Sequence, residues 1–206
     1  MKVIFDFDDV LFNASAFKEL MFSFLERYGI KNAKEVYTRM RETEKVFSVA
    51  RYIDFLGIKE NEKEIIYEGI MTPCAFLVNK ELVAIIEEVG KENIFIVSQG
   101  DEMFQRDKID RALSGKVLEG NVVVVSDSKR AEVAKICQMF KDEEIIFTDD
   151  KLEFLNDLPV LELPNLKTVL FNHRGTETLC AEIIELRRIE KEKINKESQS
   201  GGPKMR

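Results

Sequence analysis

The chain has 206 residues, of which 45% are hydrophobic and 33% are charged, and its formal net charge is -7. This length fits one globular domain, or one domain that carries a large insertion. An acidic surface repels a phosphate backbone, so we do not expect nucleic-acid binding. The chain has no apolar run near the roughly 20 residues that a membrane span needs, so no membrane segment is expected.

The cysteines and the N-terminus favour a cytoplasmic protein. Cys74, Cys137 and Cys180 are far apart, odd in number and form no CxxC pair. We therefore expect small buried side chains in a reducing compartment, not a disulfide framework or a metal site. Asp6 interrupts the first apolar stretch too early for a signal peptide.

The first predicted element is a short buried strand from Lys2 to Phe5, and acidic residues follow it. Asp6 and Asp8 are one residue apart at its end. Because an ionised carboxylate resists leaving water, packing alone does not favour acids at this place. Acids at the carboxyl end of a strand in an α/β protein usually hold a metal or take part in chemistry.

From Asn13 to about Phe76 the sequence has a helical pattern with no convincing strand. The first helix is expected to end near Gly29, and capping boxes predict further helix starts at Asn32 with Glu35 and at Asn61 with Glu64. The predicted buried face of the first helix comprises Phe17, Leu20, Met21, Phe24, Leu25 and Tyr28. Asn79 is predicted to cap the helix that follows this interval.

Strands and helices alternate after residue 80. The apolar runs are continuous, which is typical of a parallel sheet that is covered on both faces. The further predicted strands are Ile94 to Val97, Val122 to Val125, Ile145 to Phe147 and Thr168 to Phe171. The predicted helices between them are Glu102 to Leu113, Lys129 to Phe140 and Lys151 to Leu155.

Polar residues follow each of the first four strands. They are Asp6 and Asp8, then Ser98-Gln99-Gly100, then Ser126-Asp127-Ser128-Lys129, and then Thr148-Asp149-Asp150. The carboxyl ends of parallel strands meet in one crevice. So many acids accept an anionic substrate only if a cation neutralises them, and Mg²⁺ is the hard, oxygen-ligated ion that suits this set.

These residues resemble the motifs of the haloacid dehalogenase-like (HAD) hydrolase superfamily, of the type with a helical cap. That family has an apolar strand ending in DxDx(T/V), a strand ending in Ser or Thr, a lysine that opens a later helix, and a strand ending in an acidic pair. Here these motifs read Asp6-Phe7-Asp8-Asp9-Val10, Ser98, Lys129 and Asp149-Asp150. Asp9 stands where glycine is commoner.

The resemblance implies an α/β fold with a Rossmann-like parallel sheet and an all-helical cap inserted after the first strand. The core would comprise residues 1–12 and 80–185, and the cap residues 13–79. Residues 186–206 would form a charged, partly disordered tail. His173, the single histidine, is expected to be a loop residue and not a catalyst.

The resemblance also implies a role for each site residue. Asp6 would be the nucleophile and Asp8 the general acid and base. Ser98, the Gln99 amide and Lys129 would bind the phosphate. The Mg²⁺ ligands would be the Asp6 carboxylate, the Asp8 main-chain carbonyl, Asp149 and Asp150. Two choices stay open at this point, namely Asp150 or Glu153 for the metal and Lys129, Lys108 or Lys116 for the phosphate.

The expected function is Mg²⁺-dependent hydrolysis of a small phosphorylated metabolite. Hydrolysis of a carbon–halogen bond needs no metal and no second acid, and hydrolysis of a phosphonate needs a desolvated cap lysine such as Lys18, Lys34 or Lys45. A phospho-accepting receiver-like module and a catalytically silent scaffold are the alternatives from other classes. The sequence indicates no particular substrate or oligomeric state.

Overall fold

A five-stranded parallel sheet forms the centre of the computed structural model, which describes residues 1–156, 158, 161–172, 179–189 and 192. The strands are β1 (Lys2–Phe5), β2 (Ile94–Gln99), β3 (Val122–Val125), β4 (Ile145–Asp149) and β5 (Leu166–Leu170). Their spatial order is β3-β2-β1-β4-β5. Because all neighbours are parallel, the carboxyl ends lie at one edge, with β1 in the middle. The predicted α/β fold class is confirmed.

The predicted strand limits are the same as the observed ones for β1 and β3 and differ by one or two residues for β2, β4 and β5. β1 and β3 have the predicted bounds, whereas β2 continues through Gln99 and β4 through Asp149. The fifth strand is present as predicted, but β5 begins two residues before the predicted Thr168 and ends at Leu170. β5 carries the exposed polar side chains Lys167 and Thr168, so its apolar pattern is weaker than that of β3 at the other edge of the sheet.

Helices occupy the whole interval between β1 and residue 76, which we call the helical segment (residues 14–76). It comprises α1 (Ala14–Arg27), α2 (Ala33–Thr43), α3 (Val49–Phe55), α4 (Glu60–Met71) and a 3₁₀ turn (Thr72–Phe76). Its two ends are joined by backbone hydrogen bonds. The amide of Asn13 donates to the carbonyl of Leu77 at 2.8 Å, and the amide of Asn79 donates to that of Leu11 at 2.8 Å.

Capping explains where most of these helices begin. The Asn13 side chain accepts from the amide of Ala16 at 2.8 Å, and Asn79 caps the next helix as predicted. Asn32 precedes α2 but makes no capping hydrogen bond with its side chain. The prediction of a helix start at Asn61 was wrong, because α4 begins at Glu60 and places acidic residues in its first turn, where they complement the helix dipole.

The buried face of α1 differs from the predicted one. Phe22 is buried, and its ring meets that of Tyr37 edge-on with centroids 5.4 Å apart. Leu20 and Tyr28 are 40% and 41% exposed, so their assignment to the buried face was wrong. The reason is that α1 packs against both α2 and α4, which turns its buried stripe toward Phe22.

The remaining helices cover the two faces of the sheet. They are α5 (Lys80–Val89), α6 (Glu102–Leu113), α7 (Arg130–Met139) and α8 (Leu152–Asn156). Val3 and Phe5 point into a core shared with the helical segment, α5 and α6, while Ile4 points into a core shared with α7 and α8. The two-sided burial of β1 agrees with its continuous apolar sequence. Residues 179–189 are also helical.

The remaining predictions concern the cysteines, membrane-spanning helices and the C-terminal tail. Cys74 and Cys137 are buried free thiols, as expected, and Cys180 is half-buried. Among the described residues, no helix has both the length and the apolar character to cross a membrane. His173 and most of the predicted tail (193–206, with 190 and 191) lie outside the described residues.

Candidate active site

Asp6 occupies the centre of the site because it directly follows the central strand. Its backbone amide donates to the carbonyl of Thr148 at 2.9 Å, which ties it to β4. Its side chain is almost fully buried, and Oδ1 accepts a hydrogen bond of 2.6 Å from the amide of Phe7. A buried carboxylate needs such donors to offset the water that it has lost.

Lys129 bridges two acids of neighbouring strands. It directly precedes α7, and its Nζ lies 2.8 Å from Asp6 Oδ1 and 2.6 Å from Asp149 Oδ2. The side chains of all three residues are at most 5% exposed. Buried ions persist where they are paired and hydrogen-bonded, so this contact holds Asp6 and Asp149 together at the edge of the sheet.

The carboxylates of Asp6, Asp149 and Asp150 form a compact cluster. Each offers an oxygen, and these oxygens all lie within 4.8 Å of one another. With a single lysine among three acids, the cluster has an excess of two negative charges when every group is ionised. An oxygen-only donor set with this excess charge fits a hard divalent cation such as Mg²⁺.

The pKa values of two of these acids are raised. Burial raises the pKa of Asp6 to about 7, opposed by the Lys129 ammonium and reinforced by Asp149. Burial also raises the pKa of Asp150, which Lys151 opposes. Raised carboxyl pKa values in a cleft are typical of functional groups, because packing alone gives no reason to bury repelling acids.

Ser98 is a buried hydroxyl with no hydrogen-bond partner among the described residues. It lies near the end of β2, beside β1, and is 1% exposed. An unpartnered buried hydroxyl costs stability, so it is retained most readily where a ligand supplies the missing contact. Gln99 follows Ser98, and its backbone carbonyl accepts a hydrogen bond of 3.2 Å from the side chain of Gln105.

Asp8 does not join the carboxylate cluster and instead meets two side chains of α6. Lys108 Nζ lies 2.6 Å from Oδ1 and 2.8 Å from Oδ2 of Asp8, and Gln105 Nε2 donates to Oδ2 at 2.8 Å. The Asp8 side chain is 30% exposed, whereas that of Lys108 is 4% exposed. Its predicted role as a metal ligand through the main-chain carbonyl stays a prediction.

The sequence did not indicate the contact between Lys108 and Asp8. From the sequence, Lys108 was a candidate only as a phosphate ligand, as an alternative to Lys129. One signal was available, because Lys108 lies four residues after Phe104 and four before Ala112 on the buried face of α6. A lysine on the apolar face of a helix requires a partner, and Asp8 is that partner here.

The turn after Asp8 depends on a residue with positive φ. Asp9 has φ of 58°, a conformation that favours glycine. Asparagine and aspartate tolerate it when the side chain bonds to nearby backbone, and Asp9 Oδ1 accepts from the amide of Ala14 at 3.2 Å. Aspartate in place of glycine is therefore accommodated at this turn.

The structure shows which of the alternative metal and phosphate ligands lie near Asp6. Lys116 pairs with Glu87 and is remote from the carboxylate cluster that Lys129 enters. Glu153 is exposed and is not among the clustered acids, whereas Asp150 is. Lys129 and Asp150 are thus the residues that share a location with Asp6.

A cavity of about 540 Å³ lies between the helical segment and the strand ends. Asp8, Gln99 and Gly100 form its floor, next in sequence to the buried Asp6 and Ser98. Its walls comprise residues of α1, the end of α2, the following loop and α6, among them Phe17, Lys18, Tyr37, Arg41, Lys45, Phe47 and Phe104. This volume suits a small metabolite.

Solved structures provide the comparison that identifies the fold. A haloacid dehalogenase-like hydrolase from Burkholderia xenovorans LB400 is 21% identical, with 82% of each chain covered and a TM-score of 0.61. The chain therefore has the fold of a haloacid dehalogenase-like hydrolase, as the resemblance of its motifs implied.

Two more distant structures are similar over most of their length. A protein described as a β-phosphoglucomutase from Thermotoga maritima is 17% identical, with 93% of this chain and 99% of that chain covered and a TM-score of 0.49. A 2-haloacid dehalogenase from Pseudomonas syringae pv. Tomato DC3000 is 12% identical, with coverages of 85% and 88% and a TM-score of 0.48. No family model and no curated protein matches the chain.

Proposed function

We propose that this protein is a Mg²⁺-dependent phosphatase that hydrolyses a small phosphomonoester through an aspartyl-phosphate intermediate. The carrying observation is the buried cluster in which Lys129 contacts both Asp6 and Asp149 while Asp150 adds a third carboxylate. Such a cluster binds a metal and a phosphate more readily than it binds a neutral substrate.

Asp6 is the proposed nucleophile. A carboxylate oxygen of Asp6 forms a bond to phosphorus while the bond from phosphorus to the substrate alcohol breaks, and the alcohol oxygen takes a proton from Asp8. A water then attacks phosphorus and gives a proton to Asp8, while the bond between phosphorus and the Asp6 oxygen breaks. This step releases inorganic phosphate and restores the Asp6 carboxylate. Acid–base help of this kind contributes about 10²–10⁴-fold in rate.

Other residues bind and orient the phosphate. Lys129 holds Asp6 Oδ1 in place and neutralises charge beside it, and the Ser98 hydroxyl supplies a donor that no described residue uses. Asp6, Asp149 and Asp150 would hold Mg²⁺, which supplies charge stabilisation for the phosphoryl group. The helical segment contributes to the wall of the cavity whose floor includes Asp8 and Gln99.

A dehalogenase is the alternative within the same fold. Attack on a carbon–halogen bond needs an aspartate nucleophile but neither a metal nor a second acid. The clustered Asp149 and Asp150, and Asp8 on the cavity floor, favour phosphoryl transfer. The phosphonate alternative lacks support, because Lys18, Lys34 and Lys45 are exposed and none is desolvated.

The decisive experiment measures phosphate release from p-nitrophenyl phosphate with Mg²⁺ and with EDTA. We expect repeated turnover with Mg²⁺ and none with EDTA or in Asp6→Asn, with a phosphorylated Asp6 detectable by mass spectrometry after acid quench. Glu153→Gln is the matched control, because it removes a nearby exposed acid. Halide release from 2-chloropropionate without metal, or activity in Asp6→Asn, would refute the proposal.

A further inference from the structure

The cavity above the site has charges of opposite sign on its two sides. Its acidic side chains, Asp8, Asp9 and Asp127, lie at the strand ends. The helical segment contributes basic side chains and no acidic ones to the lining of the cavity, namely Lys18, Arg41 and Lys45. A substrate in the cavity therefore meets acidic side chains of the strand ends and basic side chains of the helical segment.

The three basic side chains have no acidic partner among the described residues. Lys18 lies over the ring of Tyr37, with Nζ 5.8 Å from the centroid, and Arg41 donates only to the carbonyl of Lys45 at 3.4 Å. Glu44, next to Lys45, is paired with Arg51 instead. The positive charge at this wall is thus available to a ligand.

The acids of the floor do not neutralise this wall. Asp8 is paired with Lys108, and Asp9 accepts from the Ala14 amide. Asp127 is exposed on the loop after β3, and no ion pair joins it to a described residue. The cations of the helical segment therefore form no ion pair with the acids that line the cavity.

A row of aromatic rings connects the floor to the cations. Phe104 of α6 meets Phe47 with centroids 5.6 Å apart, and Phe47 meets Tyr37 at 5.4 Å. All three residues line the cavity. These rings give the middle of the cavity an apolar lining, which a short carbon skeleton fits better than a second charge does.

We propose that the substrate carries a second anionic group, a carboxylate or a phosphate, which Lys18, Arg41 and Lys45 bind while the scissile phosphate meets Asp6. The inference rests on the proposed function and adds the class of substrate to it. It predicts selection by charge at the end of the molecule that does not react.

The test compares esters that differ in one terminal group. 3-Phosphoglycerate and glycerol 3-phosphate differ by a carboxylate in place of a hydroxymethyl group, and fructose 1,6-bisphosphate and fructose 6-phosphate differ by a second phosphate. We expect kcat/KM to be higher for the more anionic member of at least one pair, and the pair identifies the anion. Equal values within both pairs would overturn the inference.

Variants of the helical segment test whether its basic residues cause the preference for the more anionic ester. In Arg41→Gln or Lys45→Gln, we expect the ratio of kcat/KM within the preferred pair to fall by about 10-fold, since one charge-assisted hydrogen bond is lost. The loss should be in KM and should be larger at low ionic strength, where the lost attraction is less screened. Arg41→Lys should retain most of the preference.

Lys31→Gln is the matched control, because Lys31 is an exposed lysine of the same segment that does not line the cavity. Failure of the proposed function is recognised separately, as absence of phosphate release from every ester including p-nitrophenyl phosphate. Calorimetric binding of the same pairs to Asp6→Asn protein then decides the inference without turnover. Equal affinity within both pairs, or an undiminished preference in Lys45→Gln combined with Arg41→Gln, contradicts it.

Discussion

Lys108 Nζ lies within hydrogen-bond distance of both carboxylate oxygens of Asp8, at 2.6 Å and 2.8 Å. The ammonium is also 4.9–5.4 Å from the centroids of the Phe7, Phe12 and Phe104 rings. A lysine enclosed in this way has little freedom, so it fixes the orientation of the carboxylate that it contacts. Lys108 is therefore a positioning residue for Asp8, in a structure where Asp8 is the proposed acid and base.

Replacing Lys108 should slow the proton-transfer steps. In Lys108→Met, we expect kcat to fall by about 10²-fold, in line with the loss of a general base, while KM changes less. Since p-nitrophenol is a good leaving group, the slow step should be the hydrolysis of the phosphoenzyme. Rapid-quench measurement should then give a burst of one equivalent of p-nitrophenol.

Lys108→Arg is the matched control, since it keeps a cation beside Asp8 and should recover part of the rate. Circular dichroism and thermal unfolding would verify that each variant folds. A fall in the burst amplitude together with the steady-state rate would show that Lys108 acts on Asp6 or on phosphate binding, contrary to this assignment.

Removal of one clustered acid should weaken metal binding. We expect Mg²⁺ to raise the melting temperature of the protein, because a ligand at 100 times its Kd adds about 2.7 kcal/mol to the free energy of unfolding. In Asp150→Asn the shift should shrink, since one of the three clustered carboxylates is lost. Differential scanning fluorimetry at several Mg²⁺ concentrations measures this, and Glu153→Gln should behave like the wild type.

Replacing Ser98 should lower activity without lowering stability. Its hydroxyl is buried and has no partner among the described residues, so Ser98→Ala should leave the free energy of unfolding unchanged or slightly higher. The loss of a donor to the transferring phosphoryl group should lower kcat/KM by about 10²-fold. Urea unfolding and steady-state kinetics test both parts. A destabilised Ser98→Ala protein with normal activity would show that the hydroxyl serves packing.

Arg111 connects α6 to the helical segment, and its replacement should lower the stability of the protein. It forms two hydrogen bonds to Glu68 of α4, at 2.7 Å and 2.8 Å, and a third to Asp107, which also accepts from Tyr67. Arg111→Gln should lower the free energy of unfolding by about 0.2–1 kcal/mol, since water screens the half-exposed Glu68. Arg106→Gln, which removes an exposed pair within α6, should cost less.

The effect of Arg111 should depend on pH in a defined direction. The hydrogen bond from Arg111 lowers the pKa of Glu68, so the stabilisation is present at pH values above the ordinary glutamate range. It should disappear as the pH falls through the lowered pKa. Urea unfolding of wild type and Arg111→Gln at pH 7 and near pH 3 measures this, and a difference that grows on acidification would contradict the assignment.

The sequence predicted the sheet and the strand-end residues because those features are local. A continuous apolar run reads as a buried strand, and Asp6, Ser98 and Asp149 each lie at or beside the end of one. Once the strands are parallel, their carboxyl ends must meet, so the neighbourhood of Asp6 and Asp149 follows from topology. Lys129 was found because it stands between a strand and a helix.

Other features depend on packing between distant elements and could not be predicted in this way. The contact of Lys108 with Asp8 depends on how α6 lies across the first loop, and the burial of Phe22 depends on where α2 lies beside α1. Helical periodicity defines a face but not its partner. The charges of the cavity wall could not be predicted for the same reason, since Lys18 and Lys45 line one cavity only in the folded chain.

The paired hydrogen bonds at residues 11–13 and 77–79 have a consequence for how this protein could diversify. They bring the two ends of the 63-residue helical segment side by side, so the segment leaves and rejoins the rest of the chain at one point. Its length and sequence can change without shifting the register of β1 against β2 or β4. A new specificity can thus be acquired by exchanging one contiguous module, while the groups that perform the reaction keep their positions.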